Sequence, residues 1–130
     1  MALENIVNFF STMCETADSN KDPNKKMLIT HYYTSNYEKA KSAISNVCQN
    51  ALNLQMVNID DHYHELFFES KKAYIIVTVG IISPYEISVD AKVKVNSLMG
   101  LNKPQKILDA FYKELGKKLI LKRIGGSTDA

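Results

Sequence analysis

The stretch from Ala73 to Val95, AYIIVTVGIISPYEISVDAKVKV, decides the fold because it holds two strands and the turn between them. Its second half, Glu86 to Val95, alternates without a fault between apolar and polar residues, which is the period of a half-buried β-strand. Residues 73–82 form a more apolar strand, and residues 83–85 supply turn chemistry. The stretch therefore predicts an antiparallel hairpin.

Two further hairpins precede this one, with strands predicted over residues 54–59 and 62–70. The turns at 71–72 and 83–85 fix the register of neighbouring strands independently of each other. Both registers place the same apolar residues on one face, and a slip of one residue in either hairpin would destroy that agreement. The predicted core face contains Leu66, Phe68, Ile75, Val77, Val79, Ile81, Ile87, Val89 and Val93.

Apolar residues at three- and four-residue spacing predict three amphipathic helices, over residues 3–17, 37–52 and 104–116. Pro104 suits a first helical turn and Gly116 suits a helix end. The second and third helices are expected to cover the core face. The predicted fold class is therefore α+β: an antiparallel β-meander of about four or five strands, packed on one face by helices.

Three segments describe the organisation of the chain. Residues 1–26 are predicted to form an N-terminal amphipathic helix and linker, residues 27–124 the α+β domain, and residues 125–130 a flexible tail. A strand at 28–34 completes the predicted order of helix, strand, helix, four strands and helix. Residues 117–124 fit either a final strand or a continued helix.

Composition bounds the class of protein. A chain of 130 residues with 45% apolar and 23% charged residues is typical of one globular domain. Residues 1–70 carry a net charge of −4 and residues 71–130 a net charge of +6. Such asymmetry steers self-association only if the two halves form separate surfaces, which sequence halves seldom do, so we expect no role for it.

The location is expected to be cytoplasmic. The only cysteines, Cys14 and Cys48, fall on helix stripes and are too few for a disulfide framework. The N-terminus lacks the basic region of a signal peptide, and the apolar run at 73–83 is too short to span a bilayer, so no membrane association is expected.

Motifs of catalysis are missing from the sequence. No nucleophile elbow and no glycine-rich phosphate loop occurs, so we expect no catalytic residue and no cofactor, and the sequence favours a non-enzymatic protein. The cluster Asp60-Asp61-His62-Tyr63-His64 offers a weak alternative. His62 and His64 project to one side of a predicted strand and, with an aspartate, supply three ligands for zinc. Because Asp-Asp is ordinary turn chemistry, we predict no metal site.

The sequence argues against nucleic acid as a partner on two grounds. The basic stretch from Lys103 to Arg123 contains the only arginine of the chain, whereas arginine dominates contacts to bases and phosphates. The outer sheet face predicted by the register carries Lys92 and Lys94 against four acidic residues, and a net acidic face repels phosphate. A lysine-rich helix is typically a solvated face.

The order strand, helix, four strands, helix over residues 27–116 resembles the topology shared by TATA-box-binding half-repeats and helix-grip domains. The first resemblance implies a sheet that binds nucleic acid, which the acidic outer face disfavours. The second implies an apolar ligand held between sheet and helix, but the bulky core-face residues leave little room for one. The resemblance rests on topology alone and implies no functional residue.

The outer face of the predicted sheet is the candidate binding surface, because it pairs Phe67 with Ile76 where a one-sided sheet shows polar residues. We expect a non-enzymatic protein-interaction module, a homo-oligomer such as a homodimer, that self-associates through this face or through the N-terminal helix. The alternative is a domain that binds a small apolar ligand on the same face. The candidate binding residues are Tyr63, Phe67, Tyr74, Ile76 and Thr78.

Overall fold

A computed structural model describes residues 15–18, 30–95 and 103–125. The described residues form one antiparallel sheet of seven strands with two helices, so the predicted α+β class is confirmed. The first of these helices, α1 (Tyr37–Asn46), continues into a π-helical turn, Val47–Ala51. The elements are β1 (Glu15–Asp18), β2 (His31–Thr34), α1 (Tyr37–Asn46), β3 (Gln55–Asp60), β4 (Glu65–Glu69), β5 (Ala73–Ser83), β6 (Glu86–Val95), α2 (Lys103–Leu115) and β7 (Ile120–Ile124).

The sheet has the strand order β3-β4-β5-β6-β2-β7, and β1 lies beside β2 on the same edge of β6. The predicted element order from β2 through α2 is confirmed. The predicted strand number is too low because it does not include β1 and β7. β1 is a short polar segment without alternation, and the open choice at 117–124 resolves into a turn followed by β7.

The N-terminal prediction is only partly within the described residues. Residues 15–17 belong to β1, so the predicted helix is wrong there. The strand pairs with Val95 to Lys92 of β6, which shows that backbone pairing overrides the helical spacing of these residues. The rest of the segment 1–26, apart from Asp18, and the part of the predicted tail beyond Gly125 lie outside the described residues.

The register of the meander is as predicted. Ile81 lies opposite Ile87 and Phe68 lies opposite Ile75. Eight of the nine predicted core-face residues are buried, and the exception, Ile81, is 49% exposed at the end of the sheet. The turn is one residue shorter than predicted because β5 continues to Ser83 with an irregularity at Ile82.

Both helices pack on this core face. The buried residues of α1 and its π-helical turn include Ile44 and Val47, and those of α2 include Leu108 and Phe111. All four are fully buried, and burial of each such side chain stabilises the fold by about 1.5–3 kcal/mol. Helix α1 begins after Asn36, whose side chain accepts a hydrogen bond from the amide of Lys39 at 2.9 Å. The second and third predicted helices therefore cover the face assigned to them.

The turn between β3 and β4 differs from the prediction of a strand starting at His62. The carboxylate of Asp60 accepts hydrogen bonds from the amides of His62 and Tyr63, at 3.0 and 3.1 Å. His64 adopts a φ of 57°, in the left-handed region, and β4 begins only at Glu65. These side chain to backbone bonds hold residues 61–64 in a turn, so His62 and His64 do not share a strand face.

Candidate functional site

The candidate binding residues of the outer face do not form one exposed surface. Phe67 and Tyr74 are only 4% and 1% exposed, and they pack with half-buried Val57 and Ile76 in a second, smaller apolar cluster. The structure therefore brings together Phe67, Tyr74 and Ile76 as predicted, but the centre of the outer face is closed within a single chain.

Thr78 and Tyr63 lie apart from that cluster. Thr78 is half-buried on the same face, opposite Glu65 on one side and Asp90 on the other. Tyr63 is 66% exposed in the turn before β4, where its ring is nearly perpendicular to that of His62, with 4.5 Å between the ring centroids. The sequence pattern places Tyr63 on the outer face because it predicts a strand where the structure has a turn.

Burial and a neighbouring carboxylate keep Tyr74 neutral. Burial, together with the negative charge of Glu69 and a hydrogen bond to it, raises the pKa of Tyr74 to about 12. Tyr74 lies opposite Glu69 in the sheet. The phenol therefore works as a structural hydrogen-bonding group in the second cluster, not as a base near neutral pH.

The densest polar cluster joins the start of α1 to the β3–β4 turn. Asp61 accepts hydrogen bonds from the hydroxyl of Tyr37 at 2.6 Å and from the ammonium of Lys41 at 3.1 Å. These two bonds lower the pKa of Asp61, whereas burial and the bond to Asp61 raise the pKa of Tyr37. The Tyr37 ring also packs against His64, with 4.3 Å between centroids. All these groups hold the turn to the helix.

The alternative zinc site is not formed by the part of the chain that the structure describes, where no three His, Cys, Asp or Glu side chains come close enough to hold a metal ion. His64 packs on Tyr37, and Asp61 is occupied by Tyr37 and Lys41. In the turn, Asp61 and His64 therefore contact residues of α1 and do not form a ligand set.

An open groove with a volume of about 530 Å³ runs along α1 and its π-helical turn beside Ile59 of β3. Its lining is dominated by hydroxyl and amide side chains, which exchange hydrogen bonds but transfer no proton near neutral pH. The ionisable residues of the described lining, Glu38 and Lys41, form an ion pair with each other at 3.6 Å, and Lys41 also contacts Asp61. The lining residues are Glu38, Lys41, Ser42, Ser45, Asn46, Gln49, Asn50 and Ile59.

A larger anomaly lies where β5, β6, β2 and β7 reach the same end of the sheet. Tyr33 lies opposite both Ile87 and Leu121, and Thr34 lies opposite both Glu86 and Ile120, so the start of β7 sits one strand beyond the β5–β6 hairpin. Five exposed apolar residues lie at this end of the sheet, on β5, on β7 and in the β5–β6 turn, and we call them the apolar end. They are Ile81, Ile82, Tyr85, Ile120 and Leu121, which are 45–79% exposed.

The β7 side of the sheet is a basic edge. Among the described residues β7 pairs only with β2, and its first four residues are exposed. Glu86 accepts from Lys122 at 2.9 Å and from Arg123 at 2.8 Å, and these contacts lower the pKa of Glu86. Residues 116–125 contain no acidic side chain. The basic edge consists of Lys117, Lys118, Lys122 and Arg123.

The opposite side of the sheet is an acidic edge. Among the described residues β3 pairs only with β4, and Gln55, Met56 and Asn58 of β3 are exposed. Residues 55–69 contain no lysine or arginine. The acidic edge consists of Asp60, Asp61, Glu65 and Glu69. The charge asymmetry between the sequence halves thus becomes a separation between the two edges of the folded sheet, contrary to our expectation.

The apolar end does not follow from the sequence pattern. Alternation assigns Ile81 to the core face and Ile82 to the outer face, and it leaves the secondary structure of Ile120 and Leu121 open. Their neighbourhood depends on β2 lying between β6 and β7, a long-range pairing that no local pattern records. The one available signal is the unbroken apolar run Leu119-Ile120-Leu121 directly after two lysines.

Comparisons with known proteins leave the site without a relative: no family model, no curated protein and no solved structure matches this chain. Among the helices in the described ranges, none has the length and apolar character needed to cross a membrane.

Proposed function

We propose that this chain is a non-enzymatic protein-interaction module that self-associates through the apolar end and the neighbouring basic edge. The observation that carries the proposal is the grouping of exposed apolar residues: five of the seven large ones in the described residues lie at the apolar end. Scattered apolar side chains are normal on a monomer, whereas several that share one end of a sheet beside charged residues are typical of an interaction site.

The proposed surface differs from the centre of the outer face. Phe67 and Tyr74 have almost no exposed area left to give to a partner. A face that is already closed gains little from association, because association stabilises by removing apolar area from water. The N-terminal segment, the other surface expected to self-associate, lies outside the described residues except for residues 15–17, which belong to β1 and not to a helix.

Binding of a small apolar ligand by Tyr63, Phe67, Tyr74 and Ile76 has less support. Tyr63 lies in a turn outside the second cluster, and the other three residues are buried or half-buried in the free chain. Native mass spectrometry of the purified protein separates the two functions. Bound non-protein mass supports the ligand, and oligomers of bare chain support the module.

A cytoplasmic location belongs to the same proposal and is supported by the state of Cys48. This cysteine is a free thiol with no exposed area, and burial raises its pKa, which keeps it unreactive. A fold that keeps a protected thiol in its core is suited to a reducing compartment.

Mass in solution tests the proposal directly. We expect the mass measured by sedimentation to rise with concentration up to about 1 mM, because small, reversible interfaces associate weakly. Ile120→Glu places a charge on a residue that is 71% exposed at the apolar end and should restore the monomer. Gln49→Glu adds the same charge on the exposed side of the π-helical turn and should behave as wild type. A wild-type protein that stays monomeric throughout would overturn the proposed function.

A further inference from the structure

We propose that the self-association is head-to-tail: the basic edge along β7 of one copy pairs with the acidic edge along β3 of the next copy. The inference rests on the proposed function and adds the identity and polarity of the two surfaces. It follows from three features of the sheet, namely the direction of its edge strands, the charge of its edges and the position of the exposed apolar side chains.

Strand direction permits the pairing. Every neighbouring pair in the order β3-β4-β5-β6-β2-β7 is antiparallel, so the two edge strands of this six-strand path run in opposite directions. A second copy placed beside the first by translation therefore presents its β3 antiparallel to β7. The new pair has the same sense as every pair within the sheet, and both core faces stay on the same side.

Charge selects unlike edges. Two basic edges brought together by a two-fold axis would place Lys122 and Arg123 of one copy beside the same residues of the other, and two acidic edges would repel in the same way. Ion pairs within the chain partly neutralise each edge, but they do not cancel the difference in charge between the two edges. Glu86 and Glu114 each contact lysines of the basic edge, while Lys41 contacts Asp61 of the acidic edge. The attraction between unlike edges therefore persists.

Apolar side chains occur on both edges. Ile120 and Leu121 lie on β7, and the two exposed apolar residues that do not belong to the apolar end, Met56 and Tyr63, lie on β3 and in the turn after it. Met56 is 44% exposed and Tyr63 is 66% exposed. Pairing of unlike edges thus brings apolar residues from both copies together, inside a rim of opposite charges.

Register predicts how the copies are offset. Followed across β2 and β6, Ile124 and Ile120 of β7 align with residues 79 and 83 of β5. Followed across β4, the strand β3 aligns with residues 74–78 of β5. Alignment of β3 with β7 therefore requires a shift of about five residues along the strands, or roughly 17 Å. Each edge strand has one register irregularity, so the regular run is short and the association is weak and reversible.

Two complementary variants test the polarity. Lys118→Glu/Ile120→Glu lowers the net charge of the basic edge by three, and Gln55→Lys/Asn58→Lys raises the net charge of the acidic edge by two; all four positions are exposed. Each variant alone should associate more weakly than wild type, because the attraction between its two edges is reduced. An equimolar mixture should associate again, because the unchanged β7 of one variant meets the unchanged β3 of the other.

Matched controls carry the same charge changes elsewhere on exposed positions. These controls are Lys106→Glu/Gln49→Glu and Gln49→Lys/Asn50→Lys, and both should associate as wild type does. Wild-type protein supplies a second readout that needs no substitution. Its association should weaken as sodium chloride is raised from about 50 mM to about 1 M, because salt screens attraction between exposed charges.

The outcomes separate this inference from the proposed function. If the β3 variant alone associates as wild type does, the interface is a symmetric contact between apolar ends; the head-to-tail inference is overturned and the proposed function stands. If both variants associate weakly and their mixture associates no better, the unchanged edges do not pair with each other; the head-to-tail inference is overturned, and the loss in the β7 variant still supports the proposed function. If the β7 variant alone associates as wild type does, or wild type never associates, both fail. Restoration only in the mixture supports both.

Discussion

Two apolar regions outside the main core differ in a way that matters for function. The second cluster, around Phe67 and Tyr74, lies at the centre of the outer sheet face and is closed within one chain. The apolar end lies at the end of the sheet that the β5–β6 turn and the start of β7 share, and it is open to solvent. The contrast shows that apolar residues in the sequence of an outer sheet face can mark a buried cluster. Which apolar residues stay exposed becomes visible only in the folded sheet.

The largest expected effect comes from deleting a side chain of the second cluster. Phe67→Ala should lower the free energy of unfolding by about 3–5 kcal/mol, since it removes a buried aromatic ring and leaves a cavity. Ile120→Ala at the apolar end should change the free energy by less than about 0.5 kcal/mol. Urea denaturation of both variants measures the contrast. Equal losses would show that the two regions do not differ in burial.

The next largest effect is expected on the stability of the fold at alkaline pH, where Tyr74 of the second cluster ionises. The pKa of Tyr74, raised in the fold to about 12 from an ordinary value of 10.0, means that ionisation opposes folding. The contribution of Tyr74 is complete below pH 10 and is lost as the pH rises towards 12. Tyr74→Phe should therefore lose less stability than wild type over this interval. Thermal melts at several pH values test this, and parallel losses would contradict the assigned burial.

A smaller effect is expected at the polar turn that joins β3 to β4. The pKa of Asp61 is lowered by its bonds to Tyr37 and Lys41, so its stabilising contribution is present above the ordinary carboxyl pKa near 3.8. That contribution is lost as the pH falls through the lowered pKa. The melting temperatures of wild type and Asp61→Asn should therefore differ at pH 7 and converge in acid. A difference that persists unchanged at about pH 2 would rule out this role.

The smallest effect on stability is expected at the apolar end itself. Ile82→Ser shortens a side chain that is 52% exposed and should leave the melting temperature nearly unchanged. The same change should leave head-to-tail association nearly unchanged, because Ile82 lies on β5, which β6 and β2 separate from β7; it should weaken a symmetric contact between apolar ends. Sedimentation and thermal melts on one sample measure both. A large drop in melting temperature with unchanged association would assign Ile82 to the core instead.

Local alternation and turn chemistry predict the centre of the fold because each depends on neighbours in sequence. The pairs Ile81 with Ile87 and Phe68 with Ile75 follow from two short turns. The turn at 61–64 escapes prediction because the bonds from Asp60 compete with strand pairing, a balance that periodicity does not express.

The candidate site is less accessible to prediction than the fold. The grouping of Phe67, Tyr74 and Ile76 follows from the sequence, since it needs only the register of one hairpin. The burial of these three residues and the position of Ile120 cannot be predicted from the sequence, because both depend on long-range packing. The charge asymmetry of the two sequence halves acquires meaning only when the strand order places residues 55–69 and 116–125 on opposite edges.

Hydrogen exchange of wild-type protein, compared between dilute and concentrated solution, is the most direct test of head-to-tail association through β3 and β7. Amides paired across a new interface exchange more slowly, and slow exchange reports local opening. We predict that protection rises with concentration at residues 55–60 and 120–124 together, and stays constant at residues 66–68 and 74–77. Protection that rises only at the second cluster, or nowhere along β3 and β7, would contradict head-to-tail association.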